Sequence, residues 1–177
     1  MRSSIYLLLL GAALLTLALV VRSGIFARKN PGEPINSAMR AAMAENSPQL
    51  STEDALLIDR KYQTAYSTPS GLMYINHAPG TGTATPRIGD TVVINYDARL
   101  LDGTPFDSSY KAGRPLTTQA GIGKLIKGVD EALLTMKKGA RRTLIIPYWL
   151  AYGETSPSPR IPPRATLVFE VELVDFH

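Results

Sequence analysis

The chain contains no cysteine. A disulfide, a thiolate zinc site and a cysteine nucleophile are therefore excluded, and stability has to come from packing. Histidine is almost as scarce: His77 and His177 stand 100 positions apart, which supports neither a metal cluster nor a serine–histidine dyad and predicts two surface residues. No metal or other cofactor is expected. Charge of one sign is not in strong excess either. The formal balance is +4, from 19 basic and 15 acidic side chains, but Arg2 and Arg22 sit in a stretch without an acid, which leaves +2 over residues 28–177. That is too even for a nucleic-acid-binding protein. The densest basic run, Lys137, Lys138, Arg141 and Arg142 around Gly139, reads as a helix end and a solvated turn, with an anionic-lipid contact as the alternative.

Long hydrophobic runs are missing save one. Ile5 to Val21 is 17 residues without a charge, preceded by Arg2 and followed by Arg22, Arg28 and Lys29. Its length lies between the h-region of a secretory signal and the roughly 20 residues that span a bilayer core. An uncleaved anchor is favoured over a cleaved signal, because Ile25 and Ala27 make a poor cleavage site. The flanking charges place the C-terminal domain in the cytoplasm by the positive-inside rule. A short N-terminal leader more often exports the domain behind it. Export is the reading adopted, with residues 5–21 as the membrane contact.

With 177 residues, 45% of them hydrophobic, the chain has room for one domain and an appendage. The segments expected are a leader over 1–27, a linker over 28–70 and a domain over 71–177. Pro, Gly, Asn, Ser and Ala dominate 30–48, as in a stalk. Ser51 followed by Asp54 approximates a capping box and predicts a helix over 52–65, whose Leu56, Leu57, Tyr62 and Tyr66 are expected to pack on the domain. From Leu72 the pattern changes to period two. GLMYINHA, DTVVINYDARL, ARRTLIIPYW and ATLVFEVELVDF read as strands, and Leu101–Asp102–Gly103–Thr104 as a tight hairpin. One helix, 127–137, interrupts them, with Val129, Ala132, Leu133 and Met136 on one face, Asp130 and Glu131 near its start, and Gly139 stopping it. The fold class is α+β, an antiparallel sheet packed on a short helix.

Three blocks in order, GDTVVINYDARLLDGTPFDSS, GKLIKGVDEALLTMKKGARRTLIIP and AYGETSPSPRIPPRATLVFEVEL, resemble the FKBP family of peptidyl-prolyl cis-trans isomerases across residues 71–177. The resemblance implies a twisted antiparallel half-barrel wrapped around the short helix, with a pocket between them. Its catalytic positions fall on Tyr96, Phe106, Asp107, Tyr152 and Phe169, and its substrate-binding positions on Leu116, Leu125, Ile126, Val129 and Ile161. Without the resemblance, Tyr96, Phe106 and Phe169 read as strand core. On the same footing Asp107 reads as a cap for the turn through Ser108 and Ser109, and TSPSPRIPPR as a polyproline ligand. The resemblance makes that last stretch a rigid loop over the pocket.

The implied reaction is rotation about X-Pro bonds in unfolded or nascent chains, with the Tyr152 hydroxyl and the Ile126 N–H as donors to the carbonyl oxygen. The sequence also departs from the family. Val129 stands where a tryptophan is common, Leu116 where an aromatic is frequent, Lys124 where an acid often sits, and Pro157 and Arg160 on a rim that is often His and Ile. Weakened binding of macrolide inhibitors is the expected result. The competing reading is an envelope chaperone that binds clients with little turnover, and a membrane-anchored scaffold is a third. The stretch over 30–70 looks too short and broken to support a helical dimer, so a monomer is expected.

Overall fold

Ser51 starts the first helix, α1 (Thr52–Lys61), by accepting from the Asp54 N–H at 3.0 Å. The Asp54 carboxylate does not reach back to complete a capping box; it accepts from the Thr166 hydroxyl at 2.5 Å and so ties the helix to the domain. A computed structural model describes residues 48–177, so the apolar run 5–21, the rest of the leader and most of the stalk lie outside the described residues. Among those described, no helix is long and apolar enough to cross a membrane.

The helix α1 stops at Lys61, short of the expected 65. The Tyr62 N–H still bonds to Ile58 O at 2.8 Å, but Tyr62 leaves helical geometry at φ −129°, ψ 39°. Ile58 is buried with Leu101, Ile145 and Val168, and Leu57 and Tyr62 pack around them. Leu56 and Tyr66 do not share this contact, being 66% and 62% exposed. Leu56 is two residues from Ile58, about 200° around the helix, and so faces away.

Seven antiparallel strands form one sheet: β1 (Tyr66–Ser67), β2 (Met73–Pro79), β3 (Thr91–Leu100), β4 (Pro105–Ser108), β5 (Leu116–Gln119), β6 (Ala140–Ile146) and β7 (Leu167–Phe176). Their order is β1-β2-β6-β7-β3-β4, with β5 pairing β3 as well. The four expected strands are β2, β3, β6 and β7. The strand β6 ends at Ile146 because Pro147 has no N–H for the ladder, and Tyr148–Leu150 wind into a 3-10 turn instead. The strands β1, β4 and β5 are two to four residues long, too short to show alternation. The Asp-Gly hairpin forms as read, with Gly103 at φ +105° and the Leu100 N–H bonded to Thr104 O at 2.9 Å.

Period-two alternation decides which side chains meet which helix. Val92, Ile94 and Ala98 of β3, Leu144 and Ile146 of β6, and Leu167, Phe169, Val171 and Leu173 of β7 form one core with the second helix, α2 (Lys127–Leu133). Ile145 and Val168, on the other face, meet α1. Residues 48–177 are thus a single compact unit with a helix on each side of the sheet.

The helix α2 is four residues shorter than the expected 127–137, though Val129, Ala132, Leu133 and Met136 are all buried as read. Gly128 allows its close approach to β6: a Cβ there would lie 2.5 Å from Ile146 Cγ2. Asp130 does more than complement the helix dipole. It is buried, and its two carboxylate oxygens accept from the Gly121 and Gly123 N–H groups at 3.1 and 2.9 Å, which fastens the loop before the helix. The basic run is not wholly a solvated turn. Arg142 belongs to β6, lies over the Tyr74 ring at 4.8 Å and donates to Asn76 Oδ1 (2.8 Å) and Thr135 Oγ1 (2.6 Å). Both histidines are exposed, as expected.

Candidate functional site

One edge of β3 is shared by two strands. Thr91–Ile94 pair with β5 and Asp97–Arg99 with β4, while the other edge is taken by β7. The interval between holds Asn95 and Tyr96, where Ser109 completes the pairing: its N–H bonds to Tyr96 O at 2.9 Å and its hydroxyl accepts from the Tyr96 N–H at 2.8 Å. Tyr96 thus stands between the two paired stretches. Behind it lies a cavity of about 380 Å³.

Tyr96, Asp107 and Tyr152 stand at this cavity with Lys124, and its apolar lining comes from Ile94, Leu116, Leu125, Ile126 and Val129. Seven of the ten residues singled out from the sequence are therefore brought together. Phe106, Phe169 and Ile161 are not among those that line it. They are buried, at 9%, 8% and 5% exposure, in the core against which Tyr96, Leu116, Leu125 and Ile126 pack. Phe169 stacks on Tyr96 (centroids 5.9 Å apart, 28° between planes) and meets Phe106 edge-on at 6.0 Å. Phe169, with Phe106 packed on it in turn, thus supports the tyrosine ring. Ile94 and Gly123 line the cavity without having been anticipated. The signal for Ile94 was present, since it lies two residues before Tyr96 and opposite Leu116 in the ladder.

Asp107 caps the turn and also stands at the cavity wall. Its Oδ1 accepts from the Ser108 N–H at 2.8 Å as a turn cap, and its Oδ2 accepts from the Tyr96 hydroxyl at 2.7 Å. Burial, the hydrogen bond to Asp107 and the negative charge of that carboxylate push the Tyr96 hydroxyl up to about 12. Burial and the same charge raise Tyr152. Both phenols are therefore neutral at physiological pH, and an uncharged phenol can donate.

The two donors implied for substrate are free to act. Among the described residues, neither the Tyr152 hydroxyl nor the Ile126 N–H has a hydrogen-bond partner within the chain. Ile126 is the N-cap of α2, whose first turn naturally leaves such groups open. Tyr152 is 38% exposed at the start of a loop that folds back on itself. There the Ser156 hydroxyl reaches Ser158 O (2.6 Å) and Ile161 O (2.5 Å), the Ile161 N–H bonds to Ser158 O at 3.0 Å, and the Arg164 N–H bonds to Gly153 O at 3.1 Å. This folded loop is unlike an extended polyproline ligand.

A second hollow of about 380 Å³ lies among His77, Asp97, Tyr110, Arg141, Glu170 and Glu172. Several of its polar groups are already engaged, Tyr110 with Glu172 at 3.1 Å and Glu170 with Arg99 at 2.8 Å. It lacks the apolar floor of the first. Among the described residues no group of three or more His, Asp or Glu could hold a metal ion.

A family model described as FKBP-type peptidyl-prolyl cis-trans isomerase matches residues 82–174. Human peptidyl-prolyl cis-trans isomerase FKBP10 is 53% identical over 89 residues, which are 50% of this chain and 15% of that protein. The macrophage infectivity potentiator of Trypanosoma cruzi is 46% identical over 110 residues, 62% of this chain and 55% of that one. The chain thus spans less than two thirds of the length of these relatives. Of solved structures, FkpA from Escherichia coli is similar with a TM-score of 0.64 and 32% identity, covering 91% of this chain and 80% of its own. AtFKBP13 is similar with a TM-score of 0.60 and 35% identity, covering 64% of this chain and 98% of its own. The α+β architecture of antiparallel sheet and short helix is that of these FKBP proteins. Since the matched span takes in every residue that lines the cavity beneath Tyr96, the chain belongs to the FKBP-type peptidyl-prolyl cis-trans isomerase family.

Proposed function

We propose that this chain accelerates cis-trans rotation of X-Pro bonds in unfolded or nascent polypeptides. The observation that carries the reading is the cavity itself: an apolar floor of Val129, Leu125 and Leu116 beneath two neutral tyrosines, with two hydrogen-bond donors left open at its rim. Rotation about a peptide bond breaks no covalent bond but loses amide conjugation, against a barrier of about 18–20 kcal/mol. A planar amide is charge-separated and well solvated by water, while the twisted amide has lost much of that separation. An apolar wall therefore favours the twisted form over the planar one. Tyr152 and the Ile126 N–H hold the carbonyl oxygen as the bond turns, and each 1.36 kcal/mol removed from the barrier is worth about tenfold in rate. No acid, base or metal is needed.

The sheet is read as a twisted half-barrel wrapped around α2, which places the cavity between them. The helix α1 and strand β1 belong to the compact unit, so the expected boundary at residue 71 moves back to 48. We further propose that residues 5–21 anchor the chain in a membrane, that the residues between this anchor and the compact unit serve as linker, that residues 48–177 are the exported domain, and that it acts as a monomer. FK506-binding protein 1 of Rhizopus delemar is 46% identical over 96 residues. By analogy with its name, FK506-type macrolides are ligands here too, weakened by the small Val129 floor; a dissociation constant equal to that of the Rhizopus protein would contradict the weakening. Exchange NMR on a Leu-Pro peptide tests the activity. Faster cis-trans exchange with catalytic amounts of protein supports it, and exchange at the uncatalysed rate refutes it.

A further inference from the structure

Two more hollows adjoin the cavity. One shares Tyr96, Asp107 and Leu116 with it and adds Arg114. The next shares Asp107, Ser108 and Ala112 with the second and adds Lys111 and Arg160. The three form a continuous trough past Asp107, with Lys124 at the cavity end. Its charge is one-sided. Four cations line it, all exposed, while Asp107 is the single carboxylate in its walls and is already bound to the Tyr96 hydroxyl and the Ser108 N–H.

None of these cations is neutralised by the chain. The ion pairs among the described residues are Arg99–Glu170, Lys138–Asp175 and Arg164–Glu154, all formed elsewhere. Lys124 donates to Gln119 Oε1 at 2.7 Å and Arg160 to Phe106 O at 3.1 Å, both neutral acceptors that leave the positive charge in place. The hollow lined by His77 is different, because there Asp97, Glu170 and Glu172 stand beside Arg141 and Arg142.

We propose that this trough selects client segments with acidic residues beside the X-Pro bond, on the reading that the cavity binds that bond. An extended chain advances about 3.3–3.6 Å per residue, so side chains two or three positions from the proline fall some 7–10 Å along the trough, within its adjoining hollows. At that range the charges act across one screening length at physiological salt. Their effect is selection among clients, and the bond rotation itself remains with the cavity.

Exchange NMR on three peptides with a common Leu-Pro core, flanked on both sides by Glu, Gln or Lys, tests this. The Glu peptide is expected to exceed the Lys peptide in kcat/KM by about three- to tenfold at low salt. The ratio falls toward one at high salt and inverts in the Lys111→Glu/Arg114→Glu variant. It is read within one protein preparation, so any change common to all three peptides cancels. Equal values for the Glu and Lys peptides, or a ratio indifferent to both salt and the double variant, would overturn the proposal. If the neutral Gln peptide is not turned over, the isomerase reading fails on its own, and the same Glu-to-Lys ratio is then read as affinity from chemical-shift titration.

Discussion

Replacing Tyr152 by phenylalanine removes one oxygen atom from the cavity rim and nothing else. Among the described residues that oxygen bonds to no other group of the chain, and the residue is 38% exposed, so folding loses no hydrogen bond. Stability is therefore expected to change by less than about 0.5 kcal/mol, as at an ordinary surface position. The rate is another matter. If the hydroxyl holds the substrate carbonyl as the bond turns, its loss forfeits a neutral hydrogen bond of about 0.5–1.5 kcal/mol. At 1.36 kcal/mol per decade, this lowers kcat/KM by about two- to twelvefold. Exchange NMR on the Leu-Pro peptide gives the rate, and urea unfolding gives the stability. Unchanged kcat/KM would refute the donor role of Tyr152, and a fall in rate matched by a fall in stability would place the effect in the fold.

The tight contact beneath α2 makes Gly128→Ala destabilising, since the new methyl group would press on Ile146 Cγ2; the expected cost is about 1–3 kcal/mol by urea unfolding, and a neutral result would contradict the close approach. Phe106→Ala is expected to cost stability before it costs chemistry, about 3–5 kcal/mol, because its ring braces Phe169 behind the cavity; native stability with lost activity would put the ring in contact with substrate instead. The pH dependence follows from Tyr96. An unfolded tyrosine releases its proton near 10 and the folded one near 12, so above pH 10 the unfolded state binds fewer protons and the fold loses stability as pH rises toward 12. Thermal unfolding between pH 8 and about 11 checks this, and a melting temperature that rises over that range would contradict the shift.

The strands β2, β3, β6 and β7 were legible in the sequence because each is long enough to alternate and is bounded by Gly, Pro or Asp. The strands β4 and β5 were not. They exist because β3 offers successive stretches of one edge to two short segments, a non-local arrangement with no local period. The same limit separates wall from core at the site. Tyr96, Phe106 and Phe169 look alike as rings in or beside alternating strands, and only the packing shows that Tyr96 reaches the cavity while the other two lie in the core next to it. The role of Asp130 was not legible, because its position near the start of α2 says nothing of the loop that it fastens. Arg142 shows the converse, a residue from a charged run drawn over an aromatic ring by the strand that carries it. Lys111 and Arg114 carried no signal until the hollows beside Asp107 brought them together.

The central claim is that a shaped apolar cavity turns a proline bond without any reactive group. It is tested most directly by exchange NMR on the described domain with a Leu-Pro peptide, whose uncatalysed isomerisation takes tens to hundreds of seconds. Cis-trans exchange accelerated at catalytic protein concentration, unaffected by a metal chelator, is the result predicted. Exchange no faster than in buffer, from a folded protein, would contradict it.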